Sequence, residues 1–156
     1  LALARGEFVA HFDADDLWPA DRLQVLVDAL VDDPGTDMVF GMGVEFAEDD
    51  APAGVVVDGE PRVVRITTAG LIRREAHQRC GGFSVTGSME DQIDWTGKAL
   101  ALGLPYSSVE HLVLERRVHS SNSSIVKRSS TGRVSALRDV LALRRRLAAE
   151  GAPPHA

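Results

Sequence analysis

The chain has 156 residues, 44% of them hydrophobic and 26% charged, as is ordinary for one soluble globular domain with its own core. The net charge of −6 argues against nucleic acid as a general partner, and the single Cys80 excludes an internal disulfide and a cysteine-built zinc site. Because there is no apolar stretch of transmembrane length and no visible signal peptide, the expected location is cytoplasmic.

The charge is divided unevenly along the chain. Residues 1–60 contain 15 acidic and 2 basic side chains, whereas residues 61–156 contain 8 acidic and 15 basic ones. An acidic half that faces a basic half fits a site for a metal and an anionic substrate. It fits a solvated surface of uneven composition equally well.

The first residues predict the end of a helix. Residues 1–5 are helix formers, and Gly6 stands where a C-terminal cap is typical. We therefore expect that the chain starts inside a helix, that upstream structure is missing, and that the next strand has lost its neighbours. Such a strand would expose an unpaired edge or pair with another copy of the chain.

The next segment, FVAHFDADD at residues 8–16, is the most informative one. Its apolar residues predict a strand buried on both faces, as in a parallel sheet, and His11 within it is expected to be a core histidine. Three carboxylates follow, on Asp13, Asp15 and Asp16, where open α/β sheets place their ligands.

The spacing of Asp13 and Asp15 would put both side chains on one side of an extended segment. Two ionised carboxylates about 5 Å apart repel by roughly 3 kcal/mol at an effective dielectric constant of about 20, so a cation is expected between them. Oxygen donors of this kind suit Mg²⁺ or Mn²⁺. The alternative is an acidic turn that caps the following helix.

The middle of the chain alternates predicted helices and strands. Pro19 is expected at the first position of a helix. Its predicted apolar stripe consists of Leu23, Leu26, Val27, Leu30 and Val31. The segments that follow are a strand at 38–46 weakened by two glycines, a hairpin of 55–57 with 62–65, a strand at 70–73 and a helix at 74–79.

A helix over residues 91–102 and a strand over 109–115 follow. Glu90 and Asp91 open the helix, where negative charge favours its N-terminus without any further role, and Trp95 is expected on its core face. Residues 131–150 predict an amphipathic basic helix, and 151–156 a tail. The helix would pack on its own domain or contact an anionic surface at the inner face of a membrane.

Four segments in this order resemble family-2 glycosyltransferases of the GT-A fold. They are ARGEFVAHFDADDLWPADRL, LIRREAHQRCGGF, MEDQIDWTGKALALG and RRVHSSNSS, and they cover roughly residues 2 to 124. The resemblance implies a mixed, mostly parallel α/β sheet flanked by helices. It also implies that residues 1–130 are the later, catalytic and acceptor-binding part of such a domain, incomplete at its N-terminus because the nucleotide-binding half normally comes first.

The resemblance also implies roles for individual residues. Asp15 would bind a Mg²⁺ or Mn²⁺ ion that bridges the diphosphate of a nucleotide-sugar, and Asp13 would contact the donor or the metal. Asp91 would be the general base that accepts the proton of an acceptor hydroxyl, so that the sugar is transferred with inversion. His119 would be a third metal ligand or Arg117 would meet the diphosphate, and Glu90 and Trp95 would contact substrate.

The partners implied are a UDP-sugar or another nucleotide-sugar donor and a glycan, lipid-linked or protein acceptor, with no nucleic acid. Two alternatives stay open. One is a non-catalytic binding domain of the same fold, in which the acidic cluster is structural. The other is a nucleotidyltransferase, which would release pyrophosphate where a glycosyltransferase releases a nucleoside diphosphate.

Overall fold

The computed structural model describes residues 3–48, 51, 57, 59–83, 89–120, 141, 142, 145 and 149, but not the side chains of residues 89 and 90. The strands are β1 (Phe8–Ala10), β2 (Met38–Ala47), β3 (Arg62–Val63), β4 (Gly70–Arg73) and β5 (Tyr106–Val118). The helices are α1 (Arg22–Asp32), α2 (Arg74–Cys80) and α3 (Met89–Ala101), with a 3₁₀ turn at Thr67–Ala69.

The strands form one open sheet with β2 at its centre. β5 runs parallel to β2 along its whole length, whereas β4 and β3 pair antiparallel with successive stretches of its other edge. β1 pairs antiparallel with β4. The α/β class is confirmed, but the expectation of a mostly parallel sheet is wrong. β3 and β4 follow one another along the same edge of β2, and the short connection between them gives both the same direction, opposite to that of β2.

Two core clusters cover the two faces of the sheet. Successive residues of β2 alternate between them, with Met38 and Phe40 on one face and Val39 on the other. The first cluster contains residues of α2 and α3, and the second contains Leu26 and Leu30 of α1. The molecule is therefore a sheet between helical layers, at least in the part of the chain described.

The glycines of β2, expected to weaken the strand, permit close packing instead. A Cβ atom on Gly41 would lie 2.6 Å from both γ-methyl groups of Val113 and 3.0 Å from the carbonyl oxygen of His111. The pairing of β2 with β5 shifts register on both sides of Met42. Gly41 is thus required by the close approach of the two strands at this irregularity.

The predicted stripe of α1 is only partly correct. Leu26 and Leu30 are fully buried, but the side chains of Leu23 and Val31 are about half exposed. Arg22 is fully buried instead, although an arginine is rarely found in a core. The helix begins at Arg22 rather than at the expected proline.

Hydrogen bonds explain the buried arginine. Nη1 of Arg22 donates to the carbonyl oxygen of Val113 at 2.6 Å, and Nη2 donates to that of Gly70 at 3.1 Å. Its guanidinium also lies 4.0 Å from the centre of the Trp18 ring. The side chain therefore links α1 to β5 and to β4, and burial lowers its pKa to about 10, so it stays protonated.

β1 is less buried than its apolar sequence predicts. Phe8 and Val9 are half-buried and Ala10 is exposed. The physical reason is position, because β1 is the end strand of the sheet, and a central parallel strand was expected. In the described part of the chain it pairs on one side only, with β4, so its other edge is unpaired there.

Several expectations for loops and termini lie outside the described residues. Of the predicted hairpin, β3 pairs with β2, whereas residues 52–56 are not described. Of the basic helix predicted over 131–150, residues 141, 142, 145 and 149 are helical and the rest falls outside the description, as does the tail. Among the residues searched, the structure contains no helix with the length and apolarity needed to cross a membrane.

Candidate functional site

The acidic loop that follows β1 is fixed to the side of β5. The N–H of Leu17 donates to the carbonyl oxygen of Glu115 at 2.9 Å, and the N–H of Glu115 donates back to Leu17 at 3.0 Å. A turn in which the N–H of Asp16 donates to the carbonyl oxygen of Asp13 bends the loop. The segment is therefore a turn, and the three carboxylates face different partners.

Asp15 meets the end of β5. Its Oδ2 atom lies 2.9 Å from Nε2 of His119. The side chain of His119 is 17% exposed, and that of Asp15 is 41% exposed. The hydrogen bond to His119 lowers the pKa of Asp15 and outweighs the effect of partial burial, and the charge of Arg116 lowers it further. The structure thus brings together two of the three residues expected to bind the metal.

Asp16 is the buried member of the cluster. It is 6% exposed, and its Oδ1 atom accepts a hydrogen bond of 3.1 Å from the backbone N–H of Arg117. Burial raises its pKa to about 6, against the effect of that hydrogen bond, and the neighbouring charges of Asp15 and Asp13 raise it further. The loop therefore holds a carboxylate that is costly to ionise unless positive charge is close.

Asp13 faces the first turns of α3. Both of its carboxylate oxygens lie within 3.4 Å of Nε2 of Gln92, which donates to them. The Oε1 atom of the same amide accepts hydrogen bonds from the hydroxyl groups of Thr67 and Thr68, at 3.2 and 3.3 Å. Gln92 therefore links the acidic loop, α3 and the 3₁₀ turn before β4.

Asp91 is the residue before Gln92 and is 7% exposed. The expected general base thus belongs to the helical turn that contacts the acidic loop. The side chain of Glu90, expected to contact substrate, lies outside the described part of the structure.

Arg117 and Trp95, both expected to contact substrate, contact other residues of the chain instead. The Arg117 guanidinium forms an ion pair of 2.8 Å with Glu48 and lies over the ring of Phe46. Trp95 is 1% exposed and donates from Nε1 to the carbonyl oxygen of Gly81 at 2.8 Å. The expectation that Trp95 covers the core face of α3 is confirmed, and its buried ring leaves it a packing role.

The donor atoms of Asp13, Asp15 and His119 suit a hard divalent cation, although the three side chains are not arranged around one point. Carboxylate oxygens and one imidazole are ligands that Mn²⁺ and Mg²⁺ accept. No group of three or more histidine, cysteine or acidic side chains is arranged to hold a metal among the residues searched. Asp13 would have to turn one carboxylate oxygen toward Asp15 and His119 to share an ion with them, while its other oxygen keeps the hydrogen bond from Gln92.

A pair of histidines lies at the other side of the loop. Nε2 of His11, just after β1, is 3.2 Å from Nε2 of His77 on α2. His77 is fully buried and its ring packs against Trp95 and Phe83. His11 is half-buried, and its pKa is lowered to about 4, mainly by burial and then by the neighbouring His77. Burial also lowers the pKa of His77.

The sequence pointed to Asp13, Asp15 and His119 as metal ligands, which stays a prediction, but it gave no indication of the polar residues that hold the loop. Gln92 carried one available signal, since it follows the acidic pair that opens α3. The partnership of His11 with His77 spans 66 residues and depends on how α2 packs beside β1, so the local sequence held no sign of it.

The chain was also compared with protein-family models and with curated proteins. No family model matches it, and no curated protein matches it. The site therefore has to be interpreted from its own geometry and chemistry.

Proposed function

We propose that this chain supplies the metal-binding and catalytic-base residues of an inverting transferase that moves a sugar from a nucleotide-diphospho-sugar to an acceptor hydroxyl. The observation that carries the proposal is the meeting of three separate segments. The acidic loop contacts His119 at the end of β5 through Asp15, and it contacts the first turns of α3 through Asp13. Three of the four segments that resemble family-2 glycosyltransferases thus converge.

The charges of the loop support binding of a cation. Asp15 is kept ionised by His119, while Asp16 is buried with a raised pKa beside two more carboxylates. Such a cluster is destabilising alone and favourable beside positive charge. A divalent ion held by Asp15, Asp13 and His119 would stabilise the negative charge that develops on a nucleoside diphosphate leaving group.

The chain's own residues would position and deprotonate the acceptor. Asp91 lies next to the contact between α3 and the loop and is almost fully buried, so water has little access to it. A carboxylate in such a place can accept the proton of a hydroxyl as that oxygen attacks the anomeric carbon. Gln92 would fix the orientation of Asp13 through the hydrogen bonds that tie it to the 3₁₀ turn.

The test separates metal binding from chemistry. Release of nucleoside diphosphate from a UDP-sugar is measured in the longest form of the protein that its gene encodes. Mn²⁺ binding is measured by calorimetry on the present chain, and we expect it to be weak. Asp91→Asn should leave Mn²⁺ binding intact and reduce transfer by about 10²- to 10⁴-fold. Asp15→Asn should abolish binding and transfer together.

Asp28→Asn on the exposed face of α1 is the matched control, because it removes one carboxylate that contacts Gln24 of the same helix. Full transfer in Asp91→Asn would exclude the proposed base. Pyrophosphate in place of nucleoside diphosphate would indicate a nucleotidyltransferase.

One observation favours a second candidate, a binding domain without catalysis. Asp13 is already engaged by Gln92 and Arg117 by Glu48, so two expected ligand contacts are occupied by side chains of the chain itself. In that case the acidic loop is structural, and Asp15→Ala would leave metal affinity and biological function unchanged.

A further inference from the structure

We propose that His11 and His77 form a two-histidine site for Zn²⁺, separate from the acidic loop and independent of sugar transfer. The carrying observation is the distance of 3.2 Å between their Nε2 atoms, which join the end of β1 to α2. In the structure this contact is a hydrogen bond in which one imidazole donates and the other accepts.

The same distance suits two ligands of one zinc ion. Zinc lies about 2.0–2.1 Å from imidazole nitrogen, and two ligands of a tetrahedral ion are then about 3.3 Å apart. The centres of the two rings are 5.3 Å apart and their planes are inclined by 35°. The imidazole that donates in this hydrogen bond must first become the tautomer with its proton on Nδ1. Both Nε2 lone pairs can then turn toward a common point beside them, which needs little movement of the rings.

The surroundings select the ion and limit its affinity. Phe83 packs edge-on against both imidazoles, so an apolar ring borders the pair. Neutral nitrogen donors favour Zn²⁺ over Mg²⁺ or Mn²⁺. Water would complete the coordination from the half-buried side of His11.

The second ring nitrogen of His77 bears on the expected affinity for Zn²⁺. Nδ1 of His77 is buried without a hydrogen-bond partner among the described residues. Zinc-bound histidines normally donate from this nitrogen, and loss of such a partner typically costs about 10- to 100-fold in affinity. Zinc should therefore bind more weakly than in a structural four-ligand site.

The experiment is calorimetric titration of the folded chain with Zn²⁺ alone, with wild type, Asp15→Asn and two double variants compared. In the Asp15→Asn background, which removes any ion from the acidic loop, His111→Phe should leave the Zn²⁺ affinity unchanged, whereas His11→Phe should lower it at least 10-fold. His111 is a suitable control because it lies on β5, where it pairs with Asp21. Phenylalanine keeps a ring of similar size at position 11.

Two results would overturn the proposal: unchanged affinity when His11→Phe is added to Asp15→Asn, or loss of Zn²⁺ binding in Asp15→Asn, which would assign the ion to the acidic loop. If His11→Phe does not fold, nitrogen NMR of the wild-type imidazoles decides. Zn²⁺ should shift the Nε2 resonances of His11 and His77, and unchanged resonances would exclude the site. Failure of sugar transfer would leave this result unaffected.

Discussion

Replacement of Asp16 by asparagine should stabilise the protein at neutral pH and leave its stability nearly unchanged in acid. The carboxylate is 6% exposed and accepts one hydrogen bond, from the backbone N–H of Arg117. Asparagine has the same shape and can accept that hydrogen bond through Oδ1. It carries no charge, so it removes both the burial of the ion and its repulsion by Asp15 and Asp13.

The magnitude follows from the raised pKa. A change from 3.8 to about 6 is about two units, and at about 1.4 kcal/mol per unit the ionised form costs the folded state about 3 kcal/mol. Below pH 3.8 both folded and unfolded chains hold the proton, so the penalty is absent. It grows as the pH rises toward 6, because the unfolded chain releases its proton first, and it is complete above that pH.

Urea unfolding from pH 4 to 8, followed by circular dichroism, measures the free energy of unfolding of both proteins. The variant should gain about 2.5 kcal/mol on the wild type between the two ends of this range, because a small part of the penalty is already present at pH 4. Val31→Ala, on the exposed face of α1, changes no charge and should show a difference that does not vary with pH. A flat difference in Asp16→Asn as well would refute the reasoning, and so would a variant whose relative stability falls as the pH rises. Mn²⁺ should reduce the advantage of the variant if the ion binds beside Asp16.

Three further substitutions, the first with a matched control, test the packing and the site. Gly41→Ala should destabilise the protein by about 1–3 kcal/mol in urea unfolding, because its Cβ would overlap Val113; Gly59→Ala meets nothing within 4 Å and should change stability by less than about 0.5 kcal/mol. Arg22→Met removes the side-chain donors that bond to two buried carbonyl oxygens and should cost about 2–4 kcal/mol in the same assay. Gln92→Ala should weaken Mn²⁺ binding by about 10-fold in calorimetry. Equal stability of the two glycine variants would refute the proposed overlap with Val113. Unchanged stability of Arg22→Met would refute the role of its hydrogen bonds, and unchanged Mn²⁺ affinity of Gln92→Ala would refute the role of Gln92.

Local pattern predicted most of the elements but not their partners. The strand Gly70–Arg73 has the predicted first and last residues. The helix that begins at Arg74 ends at Cys80, one residue later than predicted. The direction of pairing was not predictable, because a run of Val, Ile and Phe is typical of a buried strand of either kind. The direction depends on how β3 and β4 return along one edge of β2, an arrangement of the tertiary structure that the local pattern does not contain.

The stripe of α1 shows a second limit. Hydrophobic periodicity favoured Leu23 and excluded Arg22, but Arg22 is in the core because two carbonyl oxygens of distant strands accept its hydrogen bonds. Such acceptors depend on tertiary structure and leave no trace near residue 22. The opposed directions of Asp13 and Asp15 have the same origin, since their partners lie 79 and 104 residues away.

The reciprocal hydrogen bonds between Leu17 and Glu115 make the acidic loop part of the cooperative unit formed by the sheet. Backbone amides fixed in this way become accessible to solvent deuterium only when the larger unit opens. The amides of Leu17, Glu115 and Arg117 should therefore exchange together and slowly, at rates close to those of central β2, although a surface loop normally exchanges within seconds. A ligand of the loop would then raise the protection of the whole sheet.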